Sequence, residues 1–197
     1  MAALDDAATV LAGGGLVVFP TESVYGIGAD ATSARAVDAL VAVRGRDVGK
    51  PILVVASDLD MVTAVAAALS PVARRLAARF WPGYLTLVLP ARPGLPAALT
   101  AGTATIGVRI PAHATARELA ARLGRPVTAP SANPPGATPA CTVDEARAYF
   151  GERIGAYLDG GRCDGAASTV VAVEGEQVRV VRAGPIDEAA IRRVVEE

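Results

Sequence analysis

The loop over residues 19–30 carries side chains whose chemistry suits catalysis or ligand binding. It reads FPTESVYGIGAD, so it combines hydroxyls, an acid, a phenol and two glycines. Loops that follow strands line the ligand crevices of open α/β sheets. The same residues also suit an ordinary strand-to-helix connection, in which glycine permits a positive φ. The loop lacks the Gly-Lys-Ser/Thr ending of a P-loop and the third glycine of a dinucleotide fingerprint.

A second segment concentrates positive charge. Arg44, Arg46 and Lys50 lie within seven residues, between a predicted helix and a predicted strand. Three cations around a glycine-containing turn suit a polyphosphate or a carboxylate, although a solvated basic turn has the same composition. Lys50 is the one lysine among 19 basic residues. Its retention in an arginine-rich chain indicates a need for a compact ammonium group.

A third loop, Pro130–Gly136, places a hydroxyl and an amide two residues apart, at Ser131 and Asn133. In an extended segment such residues point the same way, so the pair is predicted to converge on one ligand. The alternative is turn chemistry, in which both side chains bond to nearby backbone.

Helices and strands must alternate to position these loops. Helices are predicted at Leu4–Leu11, Ser33–Val43, Leu59–Leu69, Pro71–Phe80, Thr115–Leu123, Thr142–Phe150 and Asp187–Val195. Strands are predicted at Leu16–Phe19, Ile52–Val55, Leu85–Leu89, Thr105–Ile110, Pro126–Ala129, Thr169–Val173 and Gln177–Val181. The predicted N-caps are Ser33, Ser70, Thr142 and Asp187. Because the last two strands form a predicted hairpin, we expect one α/β domain over residues 1–197 with mixed strand directions.

Composition excludes several classes of protein. With 52% hydrophobic and 20% charged residues in 197, disorder is excluded as the main state. A net charge of −1 does not favour a protein that grips a long nucleic-acid backbone. Two cysteines, Cys141 and Cys163, and one histidine, His113, favour neither a disulfide framework nor a zinc site. No targeting peptide and no apolar stretch of membrane-spanning length is evident, so we expect a cytoplasmic protein.

The three segments, in this order, resemble the YrdC/TsaC family of L-threonylcarbamoyladenylate synthases in its short, single-domain form. The family pattern resembles P-T-E-T-x-Y-G-L-G, K-x-R and S-x-N, and this chain has PTESVYGIG, Arg44-Gly45-Arg46 and Ser131-Ala132-Asn133. Supporting matches are Arg79–Gly83 before Leu85–Leu89, then Gly107–Pro111, Ser168–Val170 and Val181–Gly184. The similarity covers roughly residues 5–185.

The resemblance implies a fold and a reaction. The implied fold is a twisted sheet of mixed parallel and antiparallel strands, flanked by helices, with a large cationic cavity. The implied enzyme is a nucleotidyltransferase that converts L-threonine, bicarbonate and ATP, bound with Mg²⁺, to threonylcarbamoyl-AMP and pyrophosphate. The product serves N6-threonylcarbamoyladenosine modification of tRNA through a separate tRNA threonylcarbamoyl-transferase complex. A direct contact with tRNA is a further expectation, and a membrane partner is not expected.

The resemblance also implies residue roles, which fall into three groups. The catalytic cations would be Arg44, Arg46 and Lys50. Contacts to ATP would come from Arg44, Arg46, Thr105, Ser131, Asn133 and Arg182. Contacts to threonine would come from Thr21, Lys50, Arg109 and Ser168, and no protein metal ligand is implied. The residues alone also allow structural roles. Arg109 would then face water from an edge strand, and Ser168 would supply a hydroxyl at the start of a strand. Arg182 would pair with Asp187.

Three positions depart from the family pattern. Arg44 stands where lysine is usual, Asp47 where proline is common, and Ser23 in place of a second threonine.

The sequence leaves two other functions open. One is a non-catalytic RNA-binding module of the same fold, and the other is a carbamoyl-adenylate enzyme with another acceptor. His113 is expected at the surface or as a helix cap, and the two cysteines are expected to be unreactive thiols.

Overall fold

A computed structural model describes residues 2–45 and 50–197 of the chain. Its helices are α1 (Ala2–Ala12), α2 (Ala34–Arg44), α3 (Leu59–Val62), α4 (Pro71–Phe80), α5 (Ala97–Thr100), α6 (Ala114–Leu123), α7 (Val143–Phe150) and α8 (Glu188–Val195). Its strands are β1 (Val17–Phe19), β2 (Gly26–Gly28), β3 (Val54–Val55), β4 (Leu85–Pro90), β5 (Thr105–Arg109), β6 (Val127–Thr128), β7 (Ala156–Tyr157), β8 (Thr169–Glu174) and β9 (Gln177–Arg182).

The strands form two hydrogen-bonded sheets. The larger has the order β6-β3-β5-β4-β8-β9, and the smaller has the order β2-β1-β7. Pairs β3/β5, β4/β8 and β1/β7 are parallel, whereas β1/β2, β3/β6, β4/β5 and β8/β9 are antiparallel. The predicted mixture of strand directions is therefore confirmed. Isolated bridges from Gly26 to Ser131 and from Asp30 to Val127 join the two sheets.

The helix starts follow local sequence signals. The side chains of Ser33, Ser70 and Asp187 accept hydrogen bonds from the backbone N–H three residues later. Thr142 and Glu145 form a reciprocal capping box. All four predicted N-caps are confirmed, because a cap is satisfied within its own turn and needs no distant partner.

The predicted helix Leu59–Leu69 is wrong beyond its first turn, since α3 ends at Val62. Past that point the backbone bonds to another segment, with Ala67 N–H donating to Pro90 O and Arg92 N–H donating to Val65 O. Ala66 also bridges Ala91. Tertiary pairing with the end of β4 thus replaces the intrahelical bonds, which apolar periodicity alone does not reveal.

Strand β2 lies inside the loop predicted at residues 19–30. Val18 pairs with Ile27 across β1 and β2. The two glycines of β2 serve a close approach, because a Cβ at Gly28 would lie 2.8 Å from Val127 Cγ1 and 3.1 Å from the ring of Phe19. Glycine at this place therefore reflects packing between the sheets as well as turn geometry.

Small aliphatic side chains fill the core, as expected for a chain with 4% aromatic residues. The largest cluster is centred on β4 and β5, with Leu85, Leu87, Ile106 and Val108 fully buried. Helices α4 and α8 contact each other, as do α1 and α6. In the described part of the chain, every helix is too short or too polar to cross a membrane.

Candidate functional site

A cavity of about 380 Å³ is lined by residues of both sheets and of the loops between them. One wall is the loop between β1 and β2, and a second is the C-terminal end of α2 together with residues 50–53. The remaining walls come from residues 129–131, residues 167–168, Arg109 and Arg182. Residues from all three loops singled out in the sequence thus line one hollow.

Strand direction explains how distant residues meet there. Arg109 ends β5, Arg182 ends β9 and Ser168 precedes β8, which runs antiparallel to β9. These three side chains therefore lie at the same end of the strands in the larger sheet. Strands β3 and β6 are two residues long, about 7 Å at the usual rise. They are antiparallel, so Leu53 before β3 and Ala129 after β6 lie at the same end of the pair, and both line the cavity.

The described lining residues include cationic side chains and no carboxylate. Arg44, Lys50, Arg109 and Arg182 provide the positive charge. Lys50 is exposed, whereas Arg109 has only 3% of its surface accessible. An anionic ligand entering this cavity would meet an exposed cation near the solvent and a buried one in the interior.

Arg109 is an unusually buried cation with an unusual shortage of hydrogen bonds. Its Nη1 lies 3.2 Å from Glu22 Oε1. This contact is an ion pair without hydrogen-bond geometry, so both Nε and Nη1 lack a hydrogen-bond acceptor among the described residues. A buried donor without an acceptor is costly unless a ligand or water satisfies it. The alternative that Arg109 is an edge residue facing water is wrong, because β5 is an interior strand of the sheet.

Burial lowers the pKa of the Arg109 guanidinium, and the nearby charge of Arg182 lowers it further. The Glu22 carboxylate opposes both effects by favouring the charged form. Arginine keeps its proton under such conditions because its reference pKa is so high. The cavity therefore holds a permanent, partly desolvated positive charge.

Ser168 links two strands at the cavity edge. Its hydroxyl lies 2.8 Å from Thr86 Oγ1, and Arg182 Nη2 donates to the same hydroxyl at 3.1 Å. Arg182 Nε and Nη2 also donate to Ser168 O. Asp187, the alternative partner, instead accepts from Ala190 N–H as the cap of α8. Arg182 is thereby held beside the cavity by Ser168.

Arg44 joins the basic segment to the third loop. Its Nε donates to Ser131 O at 3.0 Å, and both residues line the cavity. The planar guanidinium presents several donors in fixed directions, so one can fasten the loop while others serve different partners. Arginine in place of the usual lysine is therefore compatible with an ordered cavity wall.

The hydroxyl of Thr21 is engaged within its own turn. It donates to Val24 O at 2.7 Å and accepts from Ser23 N–H at 3.1 Å. Ser23 Oγ in turn donates to Ala166 O at 2.9 Å. These bonds fix the first loop against the segment that precedes β8. Thr21 shapes the cavity wall, and a ligand contact from its hydroxyl requires sharing or exchange of these bonds.

Tyr25 fastens the segment after β7 to the first loop. Its hydroxyl donates to Gly161 O at 2.7 Å and accepts from Gly160 N–H at 3.0 Å. Burial raises the pKa of Tyr25 to about 12, with smaller contributions from the charges of Cys163 and Asp159. The phenol is therefore neutral at physiological pH and acts as an anchor with both a donor and an acceptor.

Replacing Tyr25 with phenylalanine is expected to lower the free energy of unfolding by about 1–3 kcal/mol, because Gly160 N–H and Gly161 O lose their partner. Urea unfolding at pH 7 measures this. The native pKa of about 12 exceeds the ordinary value of 10, so the unfolded state releases the proton first. The advantage of the wild type should therefore shrink between pH 10 and 12, and an unchanged difference would contradict the assignment.

Thr105, a predicted nucleotide contact, lies at the start of a strand whose other end reaches the cavity. Thr105 begins β5 and Arg109 ends it, a separation of about 13 Å along a strand. The Thr105 hydroxyl lies 3.1 Å from Thr103 Oγ1. Thr105 is not among the residues that line the cavity, so its predicted contact with a nucleotide stays a prediction.

Asn133 is buried and does not line the cavity that Ser131 lines. Its N–H donates to Ser131 O at 2.9 Å, so the loop turns there and the rule for extended residues does not apply. Its Nδ2 donates to Pro134 O and Ala137 O, which is the turn alternative. The predicted convergence of Ser131 and Asn133 on one ligand stays a prediction. Arg46 lies outside the described residues.

Sequence reasoning gave no role to Glu22, which contacts Arg109 across 87 positions of the chain. The sequence signal for Glu22 was limited to the presence of an acidic residue in the first loop. His113 occupies the N-cap position of α6 without a side-chain cap bond, and burial lowers its pKa. Burial raises the pKa of the Cys163 thiol, which disfavours the reactive thiolate. No metal-binding group of three His, Cys, Asp or Glu side chains occurs among residues 2–45 and 50–197.

Comparisons with known proteins give a consistent result. The chain is 41% identical over 72% of its length to a Thiobacillus denitrificans protein named threonylcarbamoyl-AMP synthase, and covers 75% of that relative. It is 35% identical over 96% of its length to the Bacillus subtilis protein of that name, and covers 55% of it.

Solved structures agree with these relatives. Pyrococcus abyssi Sua5 in complex with L-threonine superposes with a TM-score of 0.91 at 35% identity, over 97% of this chain and 56% of that one. Escherichia coli YciO superposes with a TM-score of 0.84 at 25% identity, over 95% of this chain and 92% of that one. This chain thus spans little more than half of the Sua5 chain.

The profile of the Sua5/YciO/YrdC family, which carries the description telomere recombination, matches residues 9–184. The match includes the loop with Glu22, the end of α2, Arg109, the loop with Ser131, and Arg182. These are the parts that build the cavity. The chain therefore belongs to the Sua5/YciO/YrdC family.

Proposed function

We propose that this chain is a threonylcarbamoyl-AMP synthase and, by reaction class, a nucleotidyltransferase. It condenses L-threonine, bicarbonate and ATP to threonylcarbamoyl-AMP and pyrophosphate. One observation carries the proposal: Arg109 lines the same cavity as Arg44 and Lys50. Arg109 is 3% exposed, and two of its buried donors, Nε and Nη1, lack a hydrogen-bond acceptor in the described chain. Relatives that bear this enzyme's name support it.

Arg109 is proposed to bind the carboxylate of threonine. A guanidinium can present two parallel N–H groups to a carboxylate, and burial strengthens such charge-assisted bonds. Ser168 and Thr21 both line the cavity, where their hydroxyls can contact the amino acid. The related Pyrococcus abyssi Sua5 has been solved in complex with L-threonine, which agrees with this proposal.

The nucleotide is proposed to lie toward Arg44, Lys50 and Ser131, with Arg182 at the border between the two substrates. Arg44 is fixed through Ser131 O, and Lys50 is exposed and free to follow a phosphate. Arg46 and Asn133 stay predictions for this end of the site. We propose that ATP enters as its Mg²⁺ complex, in which the ion offsets part of the triphosphate charge.

The chemistry needs two bond-forming steps. The neutral amine of threonine forms a bond to the carbon supplied by bicarbonate, and water leaves, which gives a carbamate. A carbamate oxygen then attacks the α-phosphorus, and the bond from that phosphorus to the pyrophosphate oxygen breaks. The proposed contribution of the cavity cations is positioning and stabilisation of the charge that develops on the phosphates. The walls of the cavity also shield the carbamate from water.

The product is a mixed anhydride, so a further protein must accept its threonylcarbamoyl group. We propose a tRNA threonylcarbamoyl-transferase complex as that consumer, with N6-threonylcarbamoyladenosine in tRNA as the end product. A direct tRNA contact of this chain is a secondary proposal. ATP is a proposed substrate and tRNA is the proposed final target of the product. We therefore propose that the activity occurs in the cytoplasm.

Pyrophosphate release by the pure protein tests the function. With Mg²⁺ present, release should require ATP, threonine and bicarbonate together, and mass spectrometry should find threonylcarbamoyl-AMP. Release without threonine would contradict the proposal. Turnover with carbamoyl phosphate in place of threonine and bicarbonate would favour the enzyme with another acceptor. Salt-sensitive tRNA binding without any turnover would favour the RNA-binding module.

A further inference from the structure

Glu22 is a carboxylate beside the cavity that the proposed reaction does not use. Its side chain is 11% exposed, and Oε1 lies 3.2 Å from Arg109 Nη1. It does not line the cavity itself. A buried carboxylate needs compensation, and this one faces the cation that is proposed to bind the substrate's carboxylate.

Backbone amides at the start of α6 hold the Glu22 carboxylate. Ala112 N–H donates to Oε1 at 3.0 Å, and His113 N–H donates to Oε2 at 3.4 Å. Both oxygens are thereby bound to rigid backbone just before a ten-residue helix. The carboxylate consequently has little freedom to follow Arg109, so Arg109 must adapt to the position of Glu22.

The backbone of Glu22 is also held from the other side. Tyr84 Oη donates to Glu22 O at 2.9 Å. Gly165 packs so closely that a Cβ there would lie 2.1 Å from Glu22 O. Main chain and side chain of Glu22 are therefore both fixed by elements outside the first loop.

We propose that Glu22 is a positioning residue, which orients the Arg109 guanidinium so that it can receive the carboxylate of threonine. Arg109 Nη1 forms an ion pair with Glu22 that lacks hydrogen-bond geometry, and Nε has no acceptor in the described chain. The ion pair with Glu22 is thus the polar contact that sets its direction. This inference rests on the proposed function, because it assumes that an amino acid binds at Arg109.

Two physical effects of Glu22 oppose each other, which makes the inference testable. Its negative charge competes with the substrate carboxylate for Arg109, so its removal would strengthen binding if charge alone mattered. Its hold on the guanidinium preorganises the site, so its removal would weaken binding if orientation dominates. We infer that orientation dominates, because Glu22 is fixed by two backbone amides and the guanidinium has no other anchor of that kind in the described chain.

The test compares Glu22→Gln with the wild type and with Glu188→Gln. Glu188 is an exposed partner of Arg192 on α8, so its variant removes the same charge from an ion pair at the surface. Glu22→Gln is expected to raise the KM for threonine about tenfold, or about 1.4 kcal/mol, while the KM for ATP stays within twofold. Glu188→Gln should leave both constants unchanged. An unchanged or lower KM for threonine in Glu22→Gln would overturn the inference.

Calorimetric binding of threonine separates the possible failures. If the wild type does not bind threonine, the proposed function itself fails. If the wild type and Glu22→Gln bind equally well, only the role of Glu22 fails. Thermal unfolding identifies a variant that does not fold, and Glu22→Asp then replaces it, because aspartate keeps the charge but is one methylene too short. The same rise in the threonine KM is expected, and equal losses for threonine and ATP would overturn the positioning role.

Discussion

Replacing Arg109 with alanine is expected to reduce kcat/KM for threonine by at least about 100-fold. The substitution removes the buried cation that is proposed to bind the substrate carboxylate, and loss of one partner of a buried charge pair costs about 2–5 kcal/mol. It also leaves the Glu22 carboxylate, 11% exposed, without its cation. Steady-state pyrophosphate release at varied threonine concentration measures the effect.

Paired variants separate the loss of binding from the loss of stability. Arg109→Lys keeps a charge but loses the planar fork, so it should restore stability and only part of the affinity. Arg193, exposed on α8, provides a control, since Arg193→Ala removes a cation that does not line the cavity. An Arg109→Ala variant that folds and turns over threonine normally would contradict the assigned site.

Replacing Gly165 with alanine is expected to have the second largest effect, through the backbone. The new Cβ would lie 2.1 Å from Glu22 O and 2.9 Å from Tyr84 Oη, distances that real Cβ atoms do not tolerate. Relief requires movement of the first loop or of the segment before β8. We expect a loss of about 1–3 kcal/mol or more in unfolding free energy, together with a rise in the KM for threonine.

Gly13→Ala is the matched control for this variant. At Gly13 the nearest atoms to a Cβ are backbone oxygens at 3.5 Å, which is ordinary contact. This change should leave the KM for threonine unaltered and alter stability by less than about 1 kcal/mol. Urea unfolding and threonine kinetics on both variants provide the comparison. Equal stability of Gly165→Ala and the wild type would mean that the close approach is not structurally important.

The two predictions concern one connected unit. Gly165 allows the segment before β8 to rest on Glu22 O, Glu22 fixes the guanidinium of Arg109, and Arg109 reaches into the cavity. A steric change at one end should therefore affect threonine more than ATP, because Arg44 and Ser131 form a separate wall joined by their own hydrogen bond. Comparing the two KM values in each variant tests this separation.

Local signals predicted the parts of the fold that are satisfied locally. The four N-caps, the hairpin of β8 and β9, and most helices follow from residues within a turn or two. The predicted helix past Val62 failed because its backbone pairs with residues 90–92. Strand β2 escaped prediction because Gly26 and Gly28 have low strand propensity and are held by β1 and by contacts to the other sheet.

The sequence by itself determined the family, the order of the three loops and most of the residue types that meet at the cavity. Those properties reside in residue identity and short spacing, which folding does not alter. Only the tertiary structure decided which side chains line the cavity: it bonded the Asn133 amide to its own loop, left Thr105 at the far end of β5, and set Glu22 against Arg109. The physical reason is that such contacts depend on strand register, loop turns and packing between segments distant in the chain, none of which has a local signal.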